Sequence, residues 1–167
     1  HYKPFHITDG VVIKPSWEEY NSKNGEIVVE LDPGMAFGTG THETTILCAR
    51  MLEKYVEEGN KVIDVGCGTG ILSIIAARLG AAHVEAVDID DVAVRVALEN
   101  CAINGVSQRI SVSRGVLADL ALQKADIVVA NIIADVVIGL SEHVPKYLKA
   151  GGLLLVSGII KERKEDV

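Results

Sequence analysis

The sequence has few aromatic residues, few cysteines and no long apolar run, and each shortage excludes a class of protein. Aromatics are 4% of the 167 residues, so a core must rely on Ala, Val, Ile and Leu, which suit parallel strands covered by helices. The cysteines Cys48, Cys67 and Cys101 form no C-x-x-C pair, so we expect reduced thiols and a cytoplasmic protein. The chain starts with polar residues and no apolar run reaches about 18 residues, so neither a secretory signal nor a membrane span is expected.

Positive charge is also in short supply. The formal net charge is -7 and the isoelectric point is about 5.2. An acidic chain repels a phosphate backbone, so direct binding to nucleic acid is not expected, whereas a basic protein partner is electrostatically favoured. The length is that of one ordinary domain, and apolar residues at 49% are enough for a packed core.

Strand-like and helix-like segments alternate along most of the chain, which predicts an α/β fold with a mostly parallel sheet and helices on both faces. Two short strand-like runs, 11–14 and 27–31, precede this pattern. Ligands of such sheets lie at the carboxyl ends of the strands, so the loops after Val65, Ile89 and Ala130 are expected to carry the function. The predicted strands are 61–65, 83–89, 110–113, 126–131 and 153–157, and the predicted helices are 43–58, 71–79, 91–104 and 135–148, with another beginning near 161.

The segment Asp64-Val-Gly-Cys-Gly-Thr-Gly70 lies between a predicted strand and a predicted helix. Gly66 allows a sharp turn, Gly68 leaves the backbone open to a ligand, and Gly70 lets the helix begin close to the sheet. Dinucleotide-binding turns space their glycines as G-x-G-x-x-G, but here position 71 is Ile. The spacing therefore argues against a pyrophosphate site.

Asp88 ends the next predicted strand, where its carboxylate can accept hydrogen bonds from both hydroxyls of a ribose. Asp90 and Asp91 follow it closely, and this acidity disfavours a 2′-phosphate. Asp90 stands immediately before the next helix, so it is the better candidate for the helix cap, which leaves Asp88 for a ligand.

The D-x-G-x-G-x-G turn, taken with an acid at the next strand end, resembles the Rossmann-like class I S-adenosylmethionine-dependent methyltransferases over residues 61–160. The resemblance implies that Gly66, Gly68 and Gly70 approach the methionine part of the cofactor and that Asp88 holds its ribose. It also implies a seven-stranded sheet. This sequence supplies only five predicted strands, so the closing strands are expected to be missing.

A narrower resemblance rests on the loop Leu31-Asp-Pro-Gly-Met-Ala-Phe-Gly-Thr-Gly-Thr-His-Glu-Thr-Thr45 and on Val129-Ala-Asn-Ile-Ile133. Both are similar to motifs of the ribosomal-protein methyltransferases of the PrmA type. The family methylates amines, on lysine side chains or an α-amino group, of protein eleven of the large ribosomal subunit. The resemblance implies that residues 1–34 are a linker with short strands, that 35–167 form the catalytic domain, and that an amino-terminal recognition domain is absent.

Two polar residues are candidates for catalysis. Asn131 ends the fourth predicted strand, where its amide oxygen can accept a hydrogen bond from an incoming amine and orient the nitrogen lone pair. A cap on a turn is its ordinary alternative role. Thr45 is by position a residue of a first helical turn, and the resemblance implies that it contacts the cofactor carboxylate or the substrate amine.

Three further interpretations are open or excluded. His42-Glu43 begins like the zinc motif H-E-x-x-H, but position 46 is Ile, so no metal site is expected. A methyltransferase that acts on a small molecule or on another protein stays open, although Ile132 after Asn131 disfavours the Asn-Pro-Pro-Tyr pattern of amide and base methylators. A nicotinamide-dependent oxidoreductase is a second alternative, and the glycine spacing argues against it.

Overall fold

The structure is a computed structural model that describes residues 3–31, 42–121, 123–131, 140, 142–157 and 159–164. Within these residues there are nine strands and three α-helices, and from α1 to β6 helices and strands alternate in the order that the hydrophobic pattern predicts. The strands are β1 Phe5–Thr8, β2 Val11–Lys14, β3 Ile27–Glu30, β4 Lys61–Val65, β5 His83–Asp88, β6 Ile110–Arg114, β7 Ala125–Ala130, β8 Leu148–Val156 and β9 Ile159–Glu162, and the helices are α1 His42–Tyr55, α2 Ile71–Arg78 and α3 Asp91–Ile103.

The main sheet has six strands in the order β6-β5-β4-β7-β8-β9. Five of them are parallel, and β9 runs antiparallel to β8. From β4 the chain moves to one side for β5 and β6, and then crosses back to place β7 on the other side of β4. This reversal opens a crevice between the carboxyl ends of β4 and β7, which is where ligands of such sheets bind.

Two apolar cores lie on opposite faces of the main sheet, because successive strand residues point to opposite sides. Alternate residues of β4 show the pattern: Val62 packs in the core that includes α1, α2 and α3, and Ile63 packs in the other. The second core also contains Leu140 and the 3-10 helix Val144–Tyr147. Of the predicted helix 135–148, residues 135–139 and 141 lie outside the described residues; the described part ends in this 3-10 helix, and Leu148 already belongs to β8.

A small sheet of β1, β2 and β3 packs onto the outer side of α1 and α2. Its apolar residues, including Val11 and Val29, belong to the same core as α1 and α2. Thr8 fixes the contact, because its hydroxyl donates to Glu53 Oε2 at 2.6 Å. The predicted strands 11–14 and 27–31 are confirmed, whereas β1 was not predicted.

Three predictions about the end of the chain are wrong. The segment from residue 161 is not the start of a helix, because β9 pairs with β8, with Val156 opposite Ile159. The sheet therefore has six strands where five were predicted. The predicted strand 153–157 begins too late, since the main-chain bonding of β8 extends back to Leu148 and includes Gly151 and Gly152.

No α-helix among the described residues is long and apolar enough to cross a bilayer.

Candidate active site

The glycine turn after β4 is fixed to the end of β5 through its backbone. The N–H groups of Gly66 and Cys67 both donate to the carbonyl of Val87, at 2.8 and 3.0 Å. Gly66 and Gly68 have φ angles of 70° and 54°, a left-handed conformation that glycine adopts without steric cost. The turn thus brings exposed backbone to the carboxyl edge of the sheet, as the sequence predicts.

Gly70, the last glycine of the turn, is the N-cap residue of α2 and has a φ of 85°. A side chain here would meet α3, because an added Cβ would lie 3.2 Å from the Cβ of Ala97. Glycine is therefore required for two reasons, the backbone conformation and the close approach of α3.

Asp88 ends β5 and reaches back to the glycine turn. Its Oδ2 accepts from Gly68 N at 2.9 Å, and its Oδ1 accepts from Asp90 N at 2.9 Å. A carboxylate has about four lone-pair sites, so both oxygens can still accept further hydrogen bonds. Asp90 caps α3 by accepting from Val92 N at 2.9 Å, which confirms its predicted role as the helix cap, whereas the ligand role of Asp88 stays a prediction.

Asp64 is a buried carboxyl directly beneath the turn. Its Oδ2 accepts from the hydroxyl of Ser73 at 2.6 Å. Its pKa is raised to about 6, chiefly because burial penalises the charged form, with a smaller contribution from the charge of Asp88, while the hydrogen bonds from Ser73 oppose the rise. Sequence reasoning gave Asp64 no role of its own, although an acid on the apolar face of a central strand is itself an unusual signal.

Asn131 and Thr45 form a hydrogen-bonded pair although 86 residues separate them. Asn131 Nδ2 lies 2.7 Å from Thr45 Oγ1 and donates to it. Asn131 Oδ1 is buried and has no hydrogen-bond partner among the described residues. Since Val65 pairs with Ala130 across β4 and β7, Asn131 and Gly66 directly follow adjacent strands at the crevice.

Apolar side chains adjoin Asp88 on its solvent side. Ile89 follows Asp88 directly and is 69% exposed, and Val116 is 49% exposed. The two lie near each other because Gly115 N donates to Asp88 O at 2.9 Å, and Arg114 Nε donates to Ile89 O at 3.2 Å. Sequence reasoning missed this apolar surface, because exposure cannot be read from residue type.

The buried thiol of Cys67 is poorly suited to act as a nucleophile. Burial raises the pKa of its thiol, and the nearby Asp64 and Asp88 raise it further, so the reactive thiolate is disfavoured. Among the described residues, no cluster of three or more His, Cys, Asp or Glu side chains could hold a metal ion.

Over residues 1–167 the sequence matches the family described as ribosomal protein L11 methyltransferase (PrmA). The chain belongs to the PrmA family.

Individual members agree with this assignment. The protein named ribosomal protein L11 methyltransferase from Acetivibrio thermocellus is 62% identical over 167 residues, which are 100% of this chain and 53% of that protein. The one from Ruminiclostridium cellulolyticum is 57% identical and covers 100% of this chain and 54% of its own length. The chain thus spans about half the length of the curated relatives it matches.

Solved structures give the same result for the fold. The crystal structure of the ribosomal protein L11 methylase from Lactobacillus delbrueckii subsp. bulgaricus superposes with a TM-score of 0.84 at 34% identity, over 93% of this chain and 79% of that one. An RNA methyltransferase from Salinibacter ruber, in complex with S-adenosyl-L-homocysteine, gives 0.61 at 27% identity, over 66% and 72%. The predicted Rossmann-like class I methyltransferase fold is therefore confirmed.

For this PrmA-family chain, the structure brings the predicted site residues together in two groups. Gly66, Gly68, Gly70 and Asp88 form one hydrogen-bonded unit at the ends of β4 and β5. Thr45 and Asn131 form the other, across the crevice. Their contacts with a cofactor or substrate stay predictions, and residues 32–41 and 132–133 of the family motifs lie outside the described residues.

Proposed function

We propose that the protein containing this chain transfers methyl groups from S-adenosylmethionine to amines of ribosomal protein L11. The acceptors are lysine side chains, an α-amino group, or both. The observation that carries the proposal is the buried, unpartnered Oδ1 of Asn131 at the crevice beside the glycine turn. A buried acceptor without a donor is costly, and an incoming amine is a donor that would satisfy it.

The residues at the ends of β4 and β5 fit the cofactor. Gly68 has no side chain to block the backbone of the turn, and Asp88 has lone pairs left for two ribose hydroxyls. The exposed Ile89 and Val116 offer an apolar surface for the adenine ring. When bound, the cofactor supplies a methyl group made electrophilic by its sulfonium.

Asn131 orients the nucleophile in this proposal. Because Thr45 occupies its Nδ2, the amide cannot rotate without losing that hydrogen bond, and Oδ1 is left as the acceptor. An N–H of the substrate amine donates to Oδ1, which directs the nitrogen lone pair. Such alignment of reacting groups is worth roughly 7–11 kcal/mol in favourable cases. An amide is too weakly basic to remove a proton, so the amine must reach the site neutral.

Charge and family agree on the kind of substrate. A chain with a net charge of -7 attracts a basic protein and repels the phosphate backbone of nucleic acid. The curated relatives carry the name ribosomal protein L11 methyltransferase, and a ribosomal substrate supports a cytoplasmic reaction. The family match favours this function over the nicotinamide-dependent oxidoreductase and over a small-molecule or other protein methyltransferase.

The test separates orientation of the amine from binding of the cofactor. In the full-length protein, Asn131→Ala should lower the single-turnover rate on L11 by about 100-fold, while the dissociation constant for S-adenosylhomocysteine changes less than about twofold. Asn60→Ala is the matched control, because Asn60 also accepts a hydrogen bond through its amide, from Glu57 N at 2.9 Å, but in an exposed turn before β4.

Three results would count against the proposal. An unchanged rate would make Asn131 a turn residue only. Equal losses of rate and affinity would assign its amide to the cofactor rather than to the amine. Labelled methyl groups that appear on a ribosomal component other than L11, when intact subunits are the substrate, would refute the proposed acceptor.

A further inference from the structure

We propose that Asn100 on α3 is a positioning residue that locks the conformation of the cofactor-binding glycine turn, an inference that rests on the proposed function. Asn100 Nδ2 donates to the carbonyl of Thr69 at 2.9 Å, across 31 residues of sequence. Asn100 lies in the last turn of α3 and is not one of the predicted site residues.

The peptide group between Thr69 and Gly70 is held at both ends. Its N–H, which belongs to Gly70, donates to Cys67 O at 2.9 Å, and its carbonyl accepts from Asn100. The carbonyl of Thr69 lies outside the α2 ladder, because the first helical N–H in that ladder, from Ile74, goes to Gly70 O at 2.9 Å. Asn100 thus supplies a partner that the helix does not.

The hydrogen bond from Asn100 matters because the turn is rich in glycine, which restricts the backbone least. Gly68 and Gly70 both have left-handed φ angles, and glycine can leave that conformation as easily as it enters it. A rotation of the peptide plane before Gly70 would redirect the backbone of the turn, and on the Gly70 side no side chain opposes it. The hydrogen bond from Asn100 opposes that rotation.

The turn and α3 are also joined through Asp88, so their contacts close a ring. Gly68 N donates to Asp88, Asp88 accepts from Asp90 N, and Asp90 caps α3. Further along the same helix, Asn100 returns to the turn at Thr69. Without Asn100, the hydrogen bonds through Asp88 tie the turn to α3 at that end, while Gly70 packs against Ala97 without a hydrogen bond between side chains.

Asn104, one helical turn after Asn100, provides an internal comparison. Its amide makes two hydrogen bonds to the backbone of β3: Oδ1 accepts from Glu30 N at 2.8 Å, and Nδ2 donates to Glu30 O at 2.9 Å. Nδ2 also donates to Asn100 O at 2.8 Å. Both asparagines are half-buried and bind backbone, but only Asn100 binds the glycine turn.

The experiment compares Asn100→Ala with Asn104→Ala in the full-length protein. Loss of one hydrogen bond should raise the dissociation constant for S-adenosylhomocysteine, and the KM for the cofactor, about 5- to 10-fold in Asn100→Ala, with kcat within about twofold. Asn100→Asp should lose more, because it sets a carboxylate oxygen against Thr69 O. Asn104→Ala should lower the unfolding temperature at least as much as Asn100→Ala, yet change cofactor affinity less than about twofold, since its hydrogen bonds lie elsewhere.

A direct readout is amide hydrogen exchange in the unliganded protein. In Asn100→Ala the amide of Gly70 should exchange faster, while the amide of Ile74, inside α2, stays as in the wild type. Two results would overturn the assignment. One is an unchanged cofactor affinity in Asn100→Ala. The other is a loss of affinity that is proportional to the loss of stability in both alanine variants. Failure of the wild-type protein to bind S-adenosylhomocysteine would instead refute the proposed function, and exchange at Gly70 would still decide whether Asn100 locks the turn.

Discussion

Replacing Asp64 by asparagine should make the protein less sensitive to rising pH. Asp64 is 1% exposed and lies beneath the glycine turn, with its carboxyl bonded to the Ser73 hydroxyl. Burial penalises the charged form and raises the pKa of Asp64 from 3.8 to about 6. The asparagine side chain has nearly the same shape and can still accept from Ser73, but it carries no charge.

The size of the effect follows from the pKa. A pKa that differs by one between the folded and unfolded chains is worth about 1.4 kcal/mol, so the rise at Asp64 costs about 3 kcal/mol when the group is fully ionised. The folded chain holds the proton more tightly, so stability from this group is fully present below about pH 4 and is lost as the pH rises through about 6.

Urea denaturation of both proteins at a series of pH values measures this contribution. The free energy of unfolding of Asp64→Asn, minus that of the wild type, should grow by about 3 kcal/mol between about pH 4 and pH 7.5. Any hydrogen bond lost by the new amide group adds a constant that does not depend on pH. A difference that stays flat across this range would refute the reasoning.

Ser73→Ala is the companion variant. The Ser73 hydroxyl favours the carboxylate form of Asp64, so its removal should raise the pKa of Asp64 further. The pH-dependent loss of stability should then extend to higher pH than in the wild type. A shift toward lower pH would show that the hydroxyl does not stabilise the carboxylate.

The remaining predictions concern the two groups of site residues. Gly70→Ala should destabilise the fold by about 1–3 kcal/mol more than Gly105→Ala in urea denaturation. Both glycines have a positive φ, but an added Cβ at Gly70 would meet α3, whereas nothing lies within 4 Å of an added Cβ at Gly105. Asp88→Asn should weaken S-adenosylhomocysteine binding by about 1.5–3 kcal/mol in calorimetry, and unchanged affinity would remove Asp88 from the ribose site. Thr45→Val should slow methyl transfer, because Asn131 loses the hydrogen bond that orients its amide, whereas a normal single-turnover rate would show that the pair has no catalytic role.

Local patterns were sufficient to predict the central fold and the glycine turn. The turn is encoded within residues 64–70, and Asp88 follows from the strand that ends there, so short-range spacing carries the information. The end of the chain could not be predicted in the same way. Lys161, Glu162 and Arg163 have helix-forming side chains, but main-chain pairing with β8 decides the conformation of β9.

The contacts within the site could not be predicted from the sequence for a related reason. Asn131 and Thr45 were each candidates, but their hydrogen bond depends on β7 lying beside β4, which is a property of the whole sheet. The role of Asn100 depends on how closely α3 approaches the turn, and the burial of Asp64 depends on which face of β4 it occupies. These features depend on the tertiary structure and cannot be deduced from residue type and spacing alone.

The strand order also constrains how the protein can be made. β4 is synthesised before β5 and β6, but its other edge stays unpaired until β7 emerges, since Val65 pairs with Ala130. A nascent chain folded only as far as β6 therefore exposes an apolar strand edge, which is a surface prone to wrong pairing. Thr45 in the same chain has no Asn131 to meet, so the hydrogen bond between these two predicted site residues forms only in a late step of folding. The pairing of β7 with β4 must close the whole segment between them, and such closure is slow compared with the formation of a local helix.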